Sequence, residues 1–194
     1  MFNKIIMPLI RKFIDKIPKG KGRFVVKQLR KKYVRGKILD IGCSNLDYFG
    51  DLDVVYLDIK KQKNLKNFIL SDLNSLILPF KNEKFDTVFA SHVLEHLKAP
   101  YIILEECKRV LKKGGILIVG LPNPHYFSDA QKKKDYHINL ICQETMKIML
   151  QRIGFKILDL QYNWPIFDNE FFGKFYKYLP LYFKTDYWFI AEKP

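Results

Sequence analysis

The sequence predicts an α/β protein built on a doubly wound, mostly parallel sheet. Three observations predict it. Ile38, Leu39 and Ile41 form an apolar burst that runs into Gly42, as a buried strand bounded by a turn does. A second burst, Val54-Val55-Tyr56-Leu57, ends in Asp58, 16 residues beyond Gly42. Downstream, strand-like runs alternate with segments of helical period, the pattern of parallel strands joined by crossover helices.

The first strand covers 37–41. Asp40 sits near its tip, where a lone carboxylate is costly to bury unless it meets donors. Gly42 turns the backbone sharply and lets a ligand approach, having no Cβ. The second strand, 53–58, ends in an acid placed to accept hydrogen bonds from a ribose. The dozen residues between the strands leave room for only a short helix, and 60–67, with Lys60, Lys61, Lys63 and Lys66, leave little for the next one. A third strand at 67–70 precedes Ser71-Asp72-Leu73, and a fourth at 85–90 reaches Ala90-Ser91. A short helix starts at Val93. A longer one runs from Pro100 to Lys112, its apolar face formed by Ile103, Cys107, Val110 and Leu111, and Gly114-Gly115 stop it. The fifth strand is Ile116 to Leu121. A helix at 143–153 turns Met146, Met149, Leu150 and Ile153 inward and ends at Gly154. Strands at Phe155–Tyr162 and Asp186–Glu192 complete the set.

At 194 residues, one domain with a sizeable core is expected. Three scattered cysteines, Cys43, Cys107 and Cys142, argue against a disulfide framework and for a reducing compartment. No apolar run approaches the ~20 residues of a membrane span, and no signal-peptide pattern is evident. The expected location is therefore cytoplasmic, with attachment to a membrane surface as a further reading. The net charge of +14 is concentrated: residues 1–37 hold thirteen Lys/Arg and one acid, Asp15. Such a block speaks about partners rather than fold. The boundary is accordingly drawn between a basic helical extension, 1–36, and the body, 37–194.

Within the extension, Phe2, Ile5, Ile6, Leu9, Ile10, Phe13, Ile14 and Ile17 make an amphipathic stripe with lysines and arginines opposite. It packs on the body, lies on an anionic membrane surface, or meets nucleic acid. A second basic helix, Phe24 to Tyr33, follows it. Near the other end, residues 162–189 hold 13 of the chain's 29 aromatics. This aromatic-rich insert, about 162–186, is either a satellite core or an apolar wall for an acceptor or lipid.

The stretch 37–50 resembles motif I of class I S-adenosylmethionine-dependent methyltransferases. The match strengthens at Phe85-Asp86-Thr87-Val88-Phe89-Ala90-Ser91-His92-Val93-Leu94-Glu95-His96-Leu97 and at Glu106-Cys107-Lys108-Arg109-Val110-Leu111-Lys112-Lys113-Gly114-Gly115-Ile116-Leu117-Ile118. The likeness spans roughly residues 36–160 and lies in order and spacing. It implies the seven-stranded, Rossmann-like methyltransferase fold, mostly parallel with an antiparallel last strand, and S-adenosyl-L-methionine as cofactor. It also implies a cofactor site at Asp40, Gly42, Cys43, Ser44, Asp58, Ile59, Asp72, Leu73 and Ser91, with Asp72 receiving the adenine amine. The alternative for Asp72 is a helix N-cap. The family pattern D-x-G-x-G-x-G carries Ser44 and Leu46 at its second and third glycines here. Serine is small enough to be compatible, whereas Leu46 predicts a loop crowded or differently turned.

Methyl transfer asks the protein mainly to hold acceptor and methyl in line and to exclude water. A base is needed only where the acceptor hydroxyl or amine must lose a proton. His125, in the loop after the fifth strand, His137 and His92 are the candidates. His92, Glu95 and His96 also fit the H-x-x-E-H pattern of a zinc peptidase. That pattern follows a strand inside a βαβ unit with no third-ligand helix downstream, so no metal is assigned. The leading expectation is a methyltransferase acting on a small or amphiphilic acceptor, such as a lipid-linked or glycan precursor. The alternatives are an RNA methyltransferase that uses the basic N-terminus on phosphates, and a non-catalytic binding module of the same shape.

Overall fold

The computed structural model describes residues 23–62, 65–125, 138–163 and 185–194. The amphipathic stretch 2–17, His137 and most of the aromatic insert lie outside these residues.

The described chain runs α1 (Arg23–Tyr33), β1 (Ile38–Ile41), β2 (Val54–Asp58), β3 (Phe68–Leu70), a 3-10 turn (Leu73–Ser75), β4 (Phe85–Ser91), a second 3-10 turn (Leu94–His96), α2 (Pro100–Val110), β5 (Leu111–Pro122), α3 (Gln143–Ile153), β6 (Lys156–Asn163) and β7 (Asp186–Glu192). The seven strands form one sheet in the order β3-β2-β1-β4-β5-β7-β6. All pairs from β3 to β5 are parallel, and β7 runs antiparallel between β5 and β6. The expected doubly wound architecture is therefore the observed one.

Strand alternation sorts side chains onto two faces. Leu39, Ile41, Leu57, Val88, Ala90, Leu117 and Val119 join the larger core with Ile103, Leu104 and Cys107 of α2 and Met146 and Leu150 of α3. Ile38, Val54, Tyr56, Phe89, Ile118, Trp188 and Ile190 face the other way, against Val25, Val26 and Leu29 of α1. The basic helix thus packs on the body through its apolar stripe, while Lys27, Lys31 and Lys32 stay in water. Its far end is tied down where the Tyr33 hydroxyl donates to Asp159 on β6.

Three local expectations are corrected. Between β1 and β2 there is no helix, only turns. Asp47 Oδ1 accepts the N–H groups of Phe49 and Gly50, both at 2.9 Å, which offers the backbone a partner that competes with helix formation. Residues 60–62 and 65–67 likewise hold no helix among those described. Gly114-Gly115 do not stop α2. The helix ends at Val110, and Leu111 already pairs with Phe85. The glycines fall inside β5 where the register with β4 shifts between Phe85 and Thr87. Gly114 takes φ +73° there, a conformation that glycine adopts without steric cost.

Candidate functional site

Walking outward along the sheet, β2 follows β1 on one side and β4 lies on its other side. This is the switch point beyond whose carboxyl edge ligands bind in open α/β sheets. The loop after β1 is fixed to the tip of β2. The Gly42 and Cys43 N–H groups both donate to the Leu57 carbonyl, at 2.7 and 3.4 Å. Asp58 then binds the loop from the side: Oδ2 accepts the Ser44 N–H at 2.9 Å and Oδ1 the Lys60 N–H at 3.0 Å. Gly42 has φ +66°, and a Cβ there would stand 2.4 Å from Val93 Cγ2. The glycine is required on both counts, and it lets the β1 loop press against the segment after β4.

Leu46 is exposed, and its N–H donates to the Cys43 carbonyl at 3.3 Å. The loop turns on Asp47, whose Oδ1 also accepts the Tyr56 hydroxyl at 2.7 Å. Sequence reading missed Asp47. An aspartate three residues before a glycine was the available signal.

Asp40 is buried on the same sheet face as Tyr56 and Phe89, its register partners. Its Oδ2 has no hydrogen-bond partner. Burial foremost, then the neighbouring Asp47 and Asp58, push its carboxyl well above the usual range. The same burial, with Asp40 and Asp58 nearby, drives the Cys43 thiol up to about 12, so Cys43 is a packing residue rather than a nucleophile. Ile59 is exposed just past Asp58. The Asp58 carbonyl accepts the Ser71 N–H at 3.0 Å, which brings the Asp72 segment to the tip of β2. Asp72 caps the first 3-10 turn, accepting the Asn74 N–H at 2.8 Å. Leu73 is buried in the larger core. Ser91, half-buried, closes β4 opposite Gly120. Asp40, Gly42, Cys43, Ser44 and Asp58 are thus gathered at one place, with Ile59, Asp72 and Ser91 on the same edge and Leu73 turned into the core beneath.

A second polar group lies further along that edge. His92 follows Ser91 with φ +51°, and its N–H donates to the Gly120 carbonyl at 2.9 Å. Its Nδ1 is 3.6 Å from Glu95 Oε1 and its Nε2 is 3.7 Å from Asp186 Oδ1. Glu95 Oε1 is in turn 3.8 Å from His96 Nε2. The H-x-x-E-H segment is therefore one 3-10 turn with His92 outside it, not a helix carrying two histidines on one face. Among the described residues no three His, Cys, Asp or Glu side chains gather to hold a metal ion. His125 is exposed beyond β5, its N–H donating to Asn123 Oδ1 at 3.1 Å.

Residues 39–119 match the model of a family described as "Methyltransferase domain". A tRNA U34 carboxymethyltransferase of Nautilia profundicola is 30% identical over 77% of this chain and 54% of its own length. An uncharacterized protein of Methanocaldococcus jannaschii is 30% identical over 68% of this chain and 70% of its own. In fold, the crystal structure of a SAM-dependent methyltransferase from Archaeoglobus fulgidus superposes with a TM-score of 0.68 at 22% identity, covering 88% of this chain and 94% of that one. Residues 39–119 thus belong to the methyltransferase domain family, and the sheet around them has the S-adenosylmethionine-dependent methyltransferase fold.

The residues of this methyltransferase fit its cofactor, S-adenosyl-L-methionine. The cofactor supplies a methyl group already activated by the positive charge on sulfur. Each Asp58 oxygen receives one backbone N–H and keeps a further lone pair for a ribose hydroxyl. The unpartnered Asp40 oxygen offers a buried acceptor, the kind of group that a cationic ligand satisfies. Acids at the tips of β1 and β2 also complement a ligand that carries sulfonium and ammonium charge.

Proposed function

We propose that this methyltransferase methylates a hydroxyl or amine on a small or amphiphilic acceptor, of the lipid-linked or glycan-precursor kind. The observation that carries the reading is His92, set between Asp186 and Glu95 at the tip of β4, beside the crevice that fits the cofactor. Oxygen and nitrogen acceptors release a proton on methylation, and the cluster of Glu95, His92 and Asp186 brings proton-accepting carboxylate oxygens to this edge. The thirteen basic residues of 1–37 and the aromatic-rich insert support an acceptor or surface that is both anionic and apolar.

RNA is the second reading. It is favoured by the basic block and by the tRNA-modifying relative. Against it, Asp58, Asp72, Glu95 and Asp186 line the edge where the reaction would occur, and like charge repels phosphate. Incubation with radiolabelled methyl donor separates the two, using a lipid extract in one arm and total RNA in the other. Label in the organic-soluble fraction supports the amphiphilic acceptor. Label in RNA that weakens steeply with salt moves the assignment to nucleic acid. Calorimetry showing no S-adenosyl-L-methionine binding leaves only a non-catalytic module.

A further inference from the structure

We propose that the outward face of α1 is a docking surface for an anionic lipid bilayer, an inference about where the chain sits and independent of what it methylates. Five of the eleven residues of α1 are basic and none is acidic. Its apolar stripe, Val25, Val26 and Leu29, packs on the sheet, so the charge is turned outward. Two of the bases are already engaged. Arg30 donates to the Tyr48 carbonyl at 3.2 Å, and Lys32 lies 3.4 Å from Asp159 on β6. Lys27 and Lys31 are exposed one helical turn apart, and no acid stands three or four positions from either, where a helix would place a partner. Lys31 complements the carbonyl end of its helix, whereas Lys27, in the middle, does not. Like charges so spaced repel, a cost that an anionic partner removes. Arg35, exposed just past the helix, donates to the Gly114 carbonyl, which carries the basic surface on to the exposed Lys113 of β5.

Charge selects the sign of the partner, and the rest of the molecule selects its kind. Asp58, Asp72, Glu95 and Asp186 lie at the carboxyl edge, so an anionic surface is repelled there and drawn to α1. The docking face and the cofactor crevice share no residue. Among the described residues the exposed large apolar side chains are all aliphatic, with Leu158 next to Asp159 among them, whereas stacking on unpaired bases needs rings. In the sequence, the amphipathic stretch 2–17 runs just ahead of the helix. A bilayer offers anionic headgroups over acyl chains and so matches a basic face and an apolar stripe together. A polynucleotide matches only the charge.

The test is flotation of the full-length protein with vesicles of phosphatidylcholine alone and of phosphatidylcholine mixed with phosphatidylglycerol, at rising salt. Native protein is expected on the anionic vesicles only, and less of it as salt screens the charge. Each basic residue at an anionic surface strengthens binding about fivefold, so Lys27→Gln with Lys31→Gln is expected to weaken it about twentyfold. Both side chains are exposed, and circular dichroism is expected to match native. Should the double variant not fold, Lys31→Gln alone is used, with an expected loss of about fivefold. Lys147→Gln, exposed on α3 across the sheet, is the control and is expected to leave binding unchanged. Native protein bound equally to both kinds of vesicle, or to neither, overturns the proposal. So does native affinity in the folded α1 variant, or an equal loss in the control. Binding to total RNA that K27Q/K31Q weakens, without binding to anionic vesicles, assigns the face to nucleic acid and overturns it as well.

Discussion

Asp58 holds Ser44 in place by accepting its backbone N–H at 2.9 Å, so the acid at the tip of β2 shapes the loop that follows β1. The carboxylate placed to meet a ribose also builds the wall beside it.

Replacement of Asp58 by Asn tests this double role. An amide keeps one acceptor oxygen and presents an NH₂ where the second was, so either Ser44 N–H or Lys60 N–H faces a donor. Hydrogen bonds to charged groups contribute about 1.5–3 kcal/mol. Calorimetry is therefore expected to show cofactor affinity weakened by between about tenfold and a hundredfold, with the sheet's circular dichroism retained. Affinity within about twofold of native would refute the arrangement.

Gly42→Ala adds two costs. A left-handed alanine costs about 1–2 kcal/mol, and overpacking against Val93 a further 1–3 or so kcal/mol. Val93→Ala in the same chain relieves the collision and leaves the backbone cost. Denaturant unfolding of both single variants and the double variant is expected to give non-additive losses. Strict additivity would mean that Gly42 and Val93 are not in contact.

Asp40→Asn is expected to trade binding for stability. The raised carboxyl of Asp40 means that its contribution to folding is fully present below the unfolded-state pKa and is lost as pH rises through the higher folded-state value. At pH 7 the neutral amide avoids that loss, so the melting temperature should rise. The same variant should bind S-adenosyl-L-methionine more weakly, having lost the carboxylate. A variant that melts lower than native at pH 7 would show that Asp40 already has a satisfied charge.

At the acid end the sign reverses. The hydrogen bond from Arg109 lowers the Glu106 carboxyl, and the one from Lys112 lowers Asp86. A depressed carboxyl contributes stability that is present above its unfolded value, about 4, and is lost as pH falls through the folded value. Thermal midpoints should fall below about pH 4. Glu106→Gln is expected to flatten the acid limb, and an identical limb in native and variant would remove Glu106 from this account. The variant also leaves Arg109, which otherwise spans Glu106 and the carbonyls of Phe80 and Leu78, with a weaker partner, so it should be less stable at pH 7.

The sequence by itself determined the sheet, the gathering of Asp40, Gly42, Ser44 and Asp58 at one edge, and the end of α3 at Gly154. Apolar period and glycine placement are local, and strand connections of a given length leave few topologies open. The turns between β1 and β2 were not legible, because the competition between a helix and the Asp47 side chain depends on Tyr56 lying across the loop to fix it. Nor was the exposure of Leu46, which follows from the path those turns impose. Above all, the sequence marked His92 as a candidate but could not say what faces it. Asp186 stands 94 positions further on, and only the insertion of β7 between β5 and β6 brings its carboxylate to the imidazole. A contact of that separation is decided by strand order and register, which side-chain pattern along one segment does not encode.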